Sequence, residues 1–137
     1  MLHVLFHDSG FITQSKNHEE LSCEIVREAL PDFNYTHEEI DSICGMIMAT
    51  KIPQSPTNLL EQIIADADLD YLGREDYWEI SNNLFKEISF FGIFTENDWL
   101  QLQINFLEKH RYFTHTAITT REAKKQETLG ILKMGLK

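Results

Sequence analysis

"ATKIPQSPTNLLEQIIADADLDYLGRED", residues 49–76, passes from a segment that cannot be helical to one patterned for little else. Pro53 and Pro56 remove two backbone donors and restrict the residues before them, while Ser55, Thr57 and Asn58 add turn chemistry. Residues 51–58 therefore read as a loop. A helix follows from about Asn58, in which Leu60, Ile64, Asp68 and Leu72 recur every four residues and so share one face. An aspartate in an apolar stripe is an anomaly, because a lone buried carboxylate must be neutralised, paired with a cation or bound to metal. Asp66, Asp68 and Asp70 also crowd the end of that helix, where the macrodipole disfavours each negative charge by roughly 0.3–1 kcal/mol. Something positive is expected beside them: Arg74, or a metal ion. An EF-hand is excluded, since its sixth position must be glycine and is Tyr71, and its twelfth should be glutamate and is Tyr77.

Outward from this stretch the pattern stays helical. "NHEELSCEIVREALP" opens on Asn17 as N-cap with Glu20 three residues on, carries Leu21, Ile25 and Ala29 as its apolar stripe, and ends before Pro31. "THEEIDSICGMIMAT" repeats the device with Thr36 and Glu39 and aligns Ile40, Ile43, Cys44, Ile47 and Met48. After Gly73, Tyr77, Ile80, Leu84 and Ile88 predict another helix. Thr95 with Asp98 then opens one whose apolar face is Trp99, Leu102 and Phe106. A last, more basic helix covers 119–137. The fold class read from this pattern is all-α. No repeat or linker divides the chain, so one domain over 1–137 is expected.

Composition narrows the partners. The formal charge of -10 repels long nucleic acid and anionic membranes. Cys23 and Cys44, the only cysteines, give neither a disulfide framework nor a Cys-rich zinc site, and a reducing, cytoplasmic setting is the simplest expectation. No apolar run reaches membrane-spanning length, and "MLHVLF" lacks the features of a signal peptide.

The apolar opening "VLFHDSGF", residues 4–11, halts at His7 and Asp8. With Asp68 these supply a nitrogen-and-oxygen ligand set without sulfur, suited to Mn, Fe, Ni, Co, Zn or Mg and unable to choose among them. Such a divalent metal ion would polarise a phosphate ester and activate a water. Lys51, beside Pro53, can hold a phosphate as a point charge, although loop lysines are usually solvated. Arg74 is assigned to the aspartates. His110, Arg111, Tyr112, Phe113 and His115 cluster in a turn that either covers the site or packs as a corner; His37 is expected to be exposed, and Lys124, Lys125, Lys133 and Lys137 to form a solvated face.

"FHDSGF", "NHEELS" and above all residues 49–76 resemble the HD-domain metal-dependent phosphohydrolases, over most of residues 1–115, and "FLEKHRYFTHTA" is similar to the bacterial branch carrying the T-K-x-P-x-x-P loop. The resemblance implies an HD-like helical bundle that hydrolyses phosphomonoesters or phosphodiesters, often of nucleotides. It places His7, Asp8 and Asp68 as metal ligands, with Asp66 as the alternative within its motif. Asp8, His18 and Lys51 are its candidate catalytic residues, His18 at a second-metal or phosphate-contacting position; Glu19 is assigned to helix electrostatics. The family's first metal-binding histidine lies on a helix upstream of the His-Asp pair, and this chain starts only six residues before that pair. The bundle is therefore expected to lack the first family helix, with a homodimer or domain exchange covering the apolar surface. The alternative function is a catalytically impaired metal- or nucleotide-binding HD module, or a helical interaction protein.

Overall fold

The structure, a computed structural model, describes residues 18–91 and 95–135. His7 and Asp8 lie outside the described residues, as does Asn17. Every regular element among the described residues is helical, as the periodicity predicts. The helices are α1 (His18–Ala29), α2 (His37–Ala49), α3 (Leu59–Asp68), α4 (Tyr77–Phe91), α5 (Glu96–Lys109) and α6 (His115–Gly135), with 3-10 turns over Leu30–Phe33 and Asp70–Gly73. They form two compact units, one ending at Asp68 and the other beginning at Leu69. No described helix is long and apolar enough to cross a membrane.

The first unit is built on α1 against α2 and α2 against α3. Its core is Cys23, Ile40, Cys44 and Ile47, flanked by Val26, Leu30, Ile43 and Met48, so the stripe read from α2 is the buried one. Thr36 opens α2 with the expected capping box: its hydroxyl accepts from the Glu39 amide at 3.2 Å, and the Glu39 carboxylate accepts from the Thr36 amide at 2.8 Å. Thr36→Ala removes the acceptor for one otherwise orphaned helix donor and is expected to cost about 1 kcal/mol, read as a lower urea midpoint at unchanged slope.

The stripe predicted for α1 is wrong. Leu21 and Ile25 are each 57% exposed, and the side chains turned inward are Glu19 and Cys23. Two residues separate the predicted face from the observed one, and an ion pair described below holds the acidic start of the helix against its neighbour. The helix does stop before Pro31, which sits in the first turn of a 3-10 segment that closes on Asn34 in the left-handed conformation at φ 64°. Asparagine tolerates that conformation better than most residues.

The stripe proposed for α3 also fails as a continuous face. The helix ends at Asp68, Leu60 is 56% exposed, and Leu72 belongs to the following 3-10 turn. Ala65 and Asp66 are the buried residues of α3. The start of this helix is as read: Asn58 Oδ1 accepts from the Glu61 amide at 3.0 Å, and the Glu61 carboxylate reaches back to the Thr57 amide at 2.6 Å. Between α2 and α3 runs the proline loop, with a cis Ile52–Pro53 bond.

The second unit buries Leu69, Leu72, Tyr77, Ile104, Leu107, Leu129 and Leu132 in one cluster. Tyr77 and Leu84 face inward on α4 as predicted. On α5 the Thr95–Asp98 capping box is present, but the fully buried face is Trp99, Gln103, Ile104 and Leu107. Leu102 and Phe106 are half-buried at its margin. Gln103 is tolerated because its Oε1 accepts from Tyr77 Oη at 2.7 Å and from Ser81 Oγ at 2.5 Å. Burial pushes the Tyr77 phenol up, against the smaller opposing effect of the Ser81 hydrogen bond. The last helix starts at His115 rather than in the 119–120 region, with Thr114 Oγ1 accepting from the Ala117 amide at 3.2 Å. Lys125 is not on a solvated face: it is 1% exposed.

Candidate functional site

In the first unit the sequence candidates His18 and Lys51 meet around two carboxylates. His18 opens α1, and its Nε2 lies 3.0 Å from Glu19 Oε1. Glu19 is buried at 7% exposure, which its reading as a helix-start charge did not foresee. Its neighbour Glu20 forms an ion pair with Lys51 Nζ from the proline loop, 31 residues along the chain. The hydrogen bond from Lys51 holds the Glu20 carboxyl below the usual carboxylate range, and Glu20 in return raises the Lys51 ammonium. Because the folded pKa of Glu20 is depressed, the pair contributes above the ordinary value of 4.5 and is lost as pH falls through the lowered one.

Lys51 also lines a cavity of about 350 Å³ whose other walls include Met48, Ala49, Ile52, Pro53, Ser55 and Thr57. An apolar floor with one cation, two hydroxyls and the Glu61 carboxylate, itself engaged with Thr57 and Asn58, is the composition of a small-ligand site. Gly45 lies at this wall; a Cβ there would stand 2.8 Å from Glu61 Oε1, so the glycine leaves α3 its capping carboxylate.

The three aspartates of 66–70 fall into different surroundings. Asp66 is 4% exposed, making it, rather than Asp68, the aspartate on the buried side of α3; Asp68 is half-buried at the last position of that helix. Asp70 begins the 3-10 turn of the second unit. It accepts from Arg121 Nε at 2.6 Å and lies 3.6 Å from Arg74, whose guanidinium is also paired with Asp76. Arg74 therefore does serve the aspartates, but the better partner of Asp70 is Arg121, 51 residues away in sequence. Nothing in the local spacing signals that pairing.

Of the proposed ligands only Asp68 lies among the described residues, which contain no group of three His, Cys, Asp or Glu side chains placed to hold a metal ion. His37 is exposed at the start of α2, as expected. His110 ends α5 and stacks on Phe106 and edge-on to Tyr112, while His115 belongs to α6, so the 110–115 segment is a packed corner rather than a uniform turn. Glu20 is the member of this site that the sequence reading missed. Its position three residues after Asn17 matched a capping acid, which concealed its role as the partner of Lys51.

No family model, no curated protein and no solved structure matches this chain.

Proposed function

We propose that this chain is an HD-type, metal-dependent phosphohydrolase acting on a small phosphorylated substrate, nucleotides included, in the cytoplasm. The observation that supports this reading best is the approach of Lys51, which lines a cavity large enough for a phosphate ester, to the acidic start of α1 that carries His18, Glu19 and Glu20. Lys51 can hold a phosphoryl oxygen as a point charge once the anion displaces Glu20. The His18 imidazole, held by Glu19 at 3.0 Å, is the candidate acid–base group. Asp68 is the proposed carboxylate ligand, with His7 and Asp8 joining it on the strength of the sequence pattern. A divalent cation held there would supply Lewis acidity toward the phosphoryl group.

The test begins with protein purified without added ions. Mass spectrometry of its metals is expected to find a divalent cation, and p-nitrophenyl phosphate is expected to turn over when Mn or Mg is supplied. Asp68→Asn should lose the metal, and turnover should fall by more than the roughly 10–100-fold that loss of a ligand's hydrogen-bond partner costs. Lys51→Met should keep the metal and raise KM. A wild-type protein that binds metal and hydrolyses nothing is a binding module instead. Full metal content in a folded Asp68→Asn removes that residue from the ligand set.

A further inference from the structure

Cys23 on α1 and Cys44 on α2 are both free and both buried, and each thiol points at the other residue's backbone. Cys23 Sγ donates to the Cys44 carbonyl at 3.6 Å, and Cys44 Sγ to the Cys23 carbonyl at 3.8 Å. This reciprocal arrangement sets each sulfur against the other residue's main chain where α1 packs on α2, which makes the two thiols neighbours across that packing. Around them lie Ile40 and Ile47, with Val26 and Leu30 at the margin, so the two thiols share an apolar setting.

We propose that Cys23 and Cys44 are a dithiol that closes into a disulfide on exposure to a two-electron thiol oxidant such as a peroxide, tying α1 to α2. The Cys23 thiolate attacks the peroxide, giving a sulfenic acid and hydroxide. The Cys44 sulfur then displaces the sulfenic oxygen, which leaves as water, so two thiols lose two electrons and two protons while the peroxide becomes two waters. Burial, followed by the neighbouring Cys44 thiol, pushes Cys23 up to about 11. The thiolate is the attacking species, so closure is slow at neutral pH and accelerates about tenfold per pH unit up to that value. The pair thus ignores brief oxidation and responds to sustained exposure. This inference does not depend on the hydrolase reading.

The experiment uses the full chain in native buffer with hydrogen peroxide, followed by denaturation and alkylation of remaining thiols. Loss of two hydrogens without alkylation is expected, and trypsin should release residues 17–27 linked to residues 28–51. Circular dichroism should stay helical, and the thermal midpoint should rise by about 10 °C, as closing a short loop implies. The closing rate should rise from pH 7 to pH 9. Cys44→Ser should abolish the linked peptide and leave Cys23 as an unresolved sulfenic acid, trapped by dimedone, whereas Cys23→Ser should leave Cys44 alkylatable. Chains cross-linked between molecules, sulfinic acid at Cys23 without linkage, or closure only in denaturant would each overturn the proposal.

Discussion

Gly73→Ala is expected to lower the stability of the second unit by about 2–3 kcal/mol, the upper range for forcing volume into a packed contact. Gly73 is buried, and a Cβ built on it would meet the Arg121 carbonyl oxygen at 2.4 Å, its Cβ at 2.6 Å and its Cα at 2.8 Å. Two of those three atoms are backbone, so no rotamer change relieves the clash; α6 must move away from the 3-10 turn, against which it packs most closely. No described glycine has positive φ, so alanine is conformationally allowed at this position and the loss is one of space. Gly130 supplies the opposite case. It lies in the interior of α6, exposed, with nothing within 4 Å of an added Cβ, and Gly130→Ala should stabilise by roughly 0.5–1 kcal/mol through helix propensity alone. Trp78 and Trp99 both belong to the second unit, so urea unfolding followed by fluorescence reads these two changes directly. A neutral Gly73→Ala would mean that α6 does not approach the turn as closely as described.

This contrast between two glycines shows which part of the fold is legible in a sequence. Helix starts are local, because a cap and the acid three residues later need only each other, and Thr36 with Glu39 and Thr95 with Asp98 form the bonds their spacing predicts. The proline loop is legible for the same reason: the missing donors of Pro53 and Pro56 act on their immediate neighbours. What a helix turns inward depends on distant partners. On α1 the periodicity of Leu21 and Ile25 is genuine, yet Glu19 and Cys23 are the buried pair. A helical period identifies a face without saying which neighbour will cover it.

The candidate site divides in the same way. Lys51 and His18 were each visible as residues of suitable chemistry, but their convergence depends on an ion pair with Glu20 that spans α1 and the proline loop. The sequence points to an aspartate on the buried side within residues 66–70 and names Asp68, whereas the more deeply buried one is Asp66. Extending the helical period past Asp68 into a 3-10 turn carried Leu72 onto a face it does not share, and put Asp68 rather than Asp66 on the buried side. Arg121 and Lys125 were read as part of a basic, exposed helix or passed over, since lysine and arginine are seldom fully buried unless paired. Both are paired.

Lys125→Met is expected to cost about 2–4 kcal/mol, somewhat less than the largest losses on breaking a buried ion pair, because Glu122 keeps part of its hydration. The Lys125 side chain is 2% exposed, and its ammonium lies 2.9 Å from Glu122 Oε2. The same nitrogen donates to the His110 carbonyl at 2.9 Å and stands 5.2 Å from the Tyr112 ring centroid. Tyr112 in turn donates its hydroxyl to the Leu69 carbonyl at 3.1 Å, so one buried cation fastens the end of α5 and the following corner to α6 and the start of the unit. Methionine matches the stem in volume and leaves the carbonyl and the carboxylate without that donor. Glu122→Gln should cost only about 1 kcal/mol, since the ammonium keeps its carbonyl and its aromatic face. Acid separates the two roles. Burial raises the Glu122 carboxyl, but hydrogen bonds from Gln126 and Lys125 outweigh it and hold the folded pKa below the ordinary 4.5. A depressed carboxylate stabilises the fold fully above its unfolded pKa, and that contribution disappears as pH falls through the folded value. Urea midpoints measured downward from pH 6 should therefore drop below about pH 4.5 in the wild type, and Lys125→Met should flatten part of that drop. An unchanged acid limb in the variant would show that Lys125 does not bind Glu122 in solution, and that its burial rests on the His110 carbonyl and Tyr112 alone.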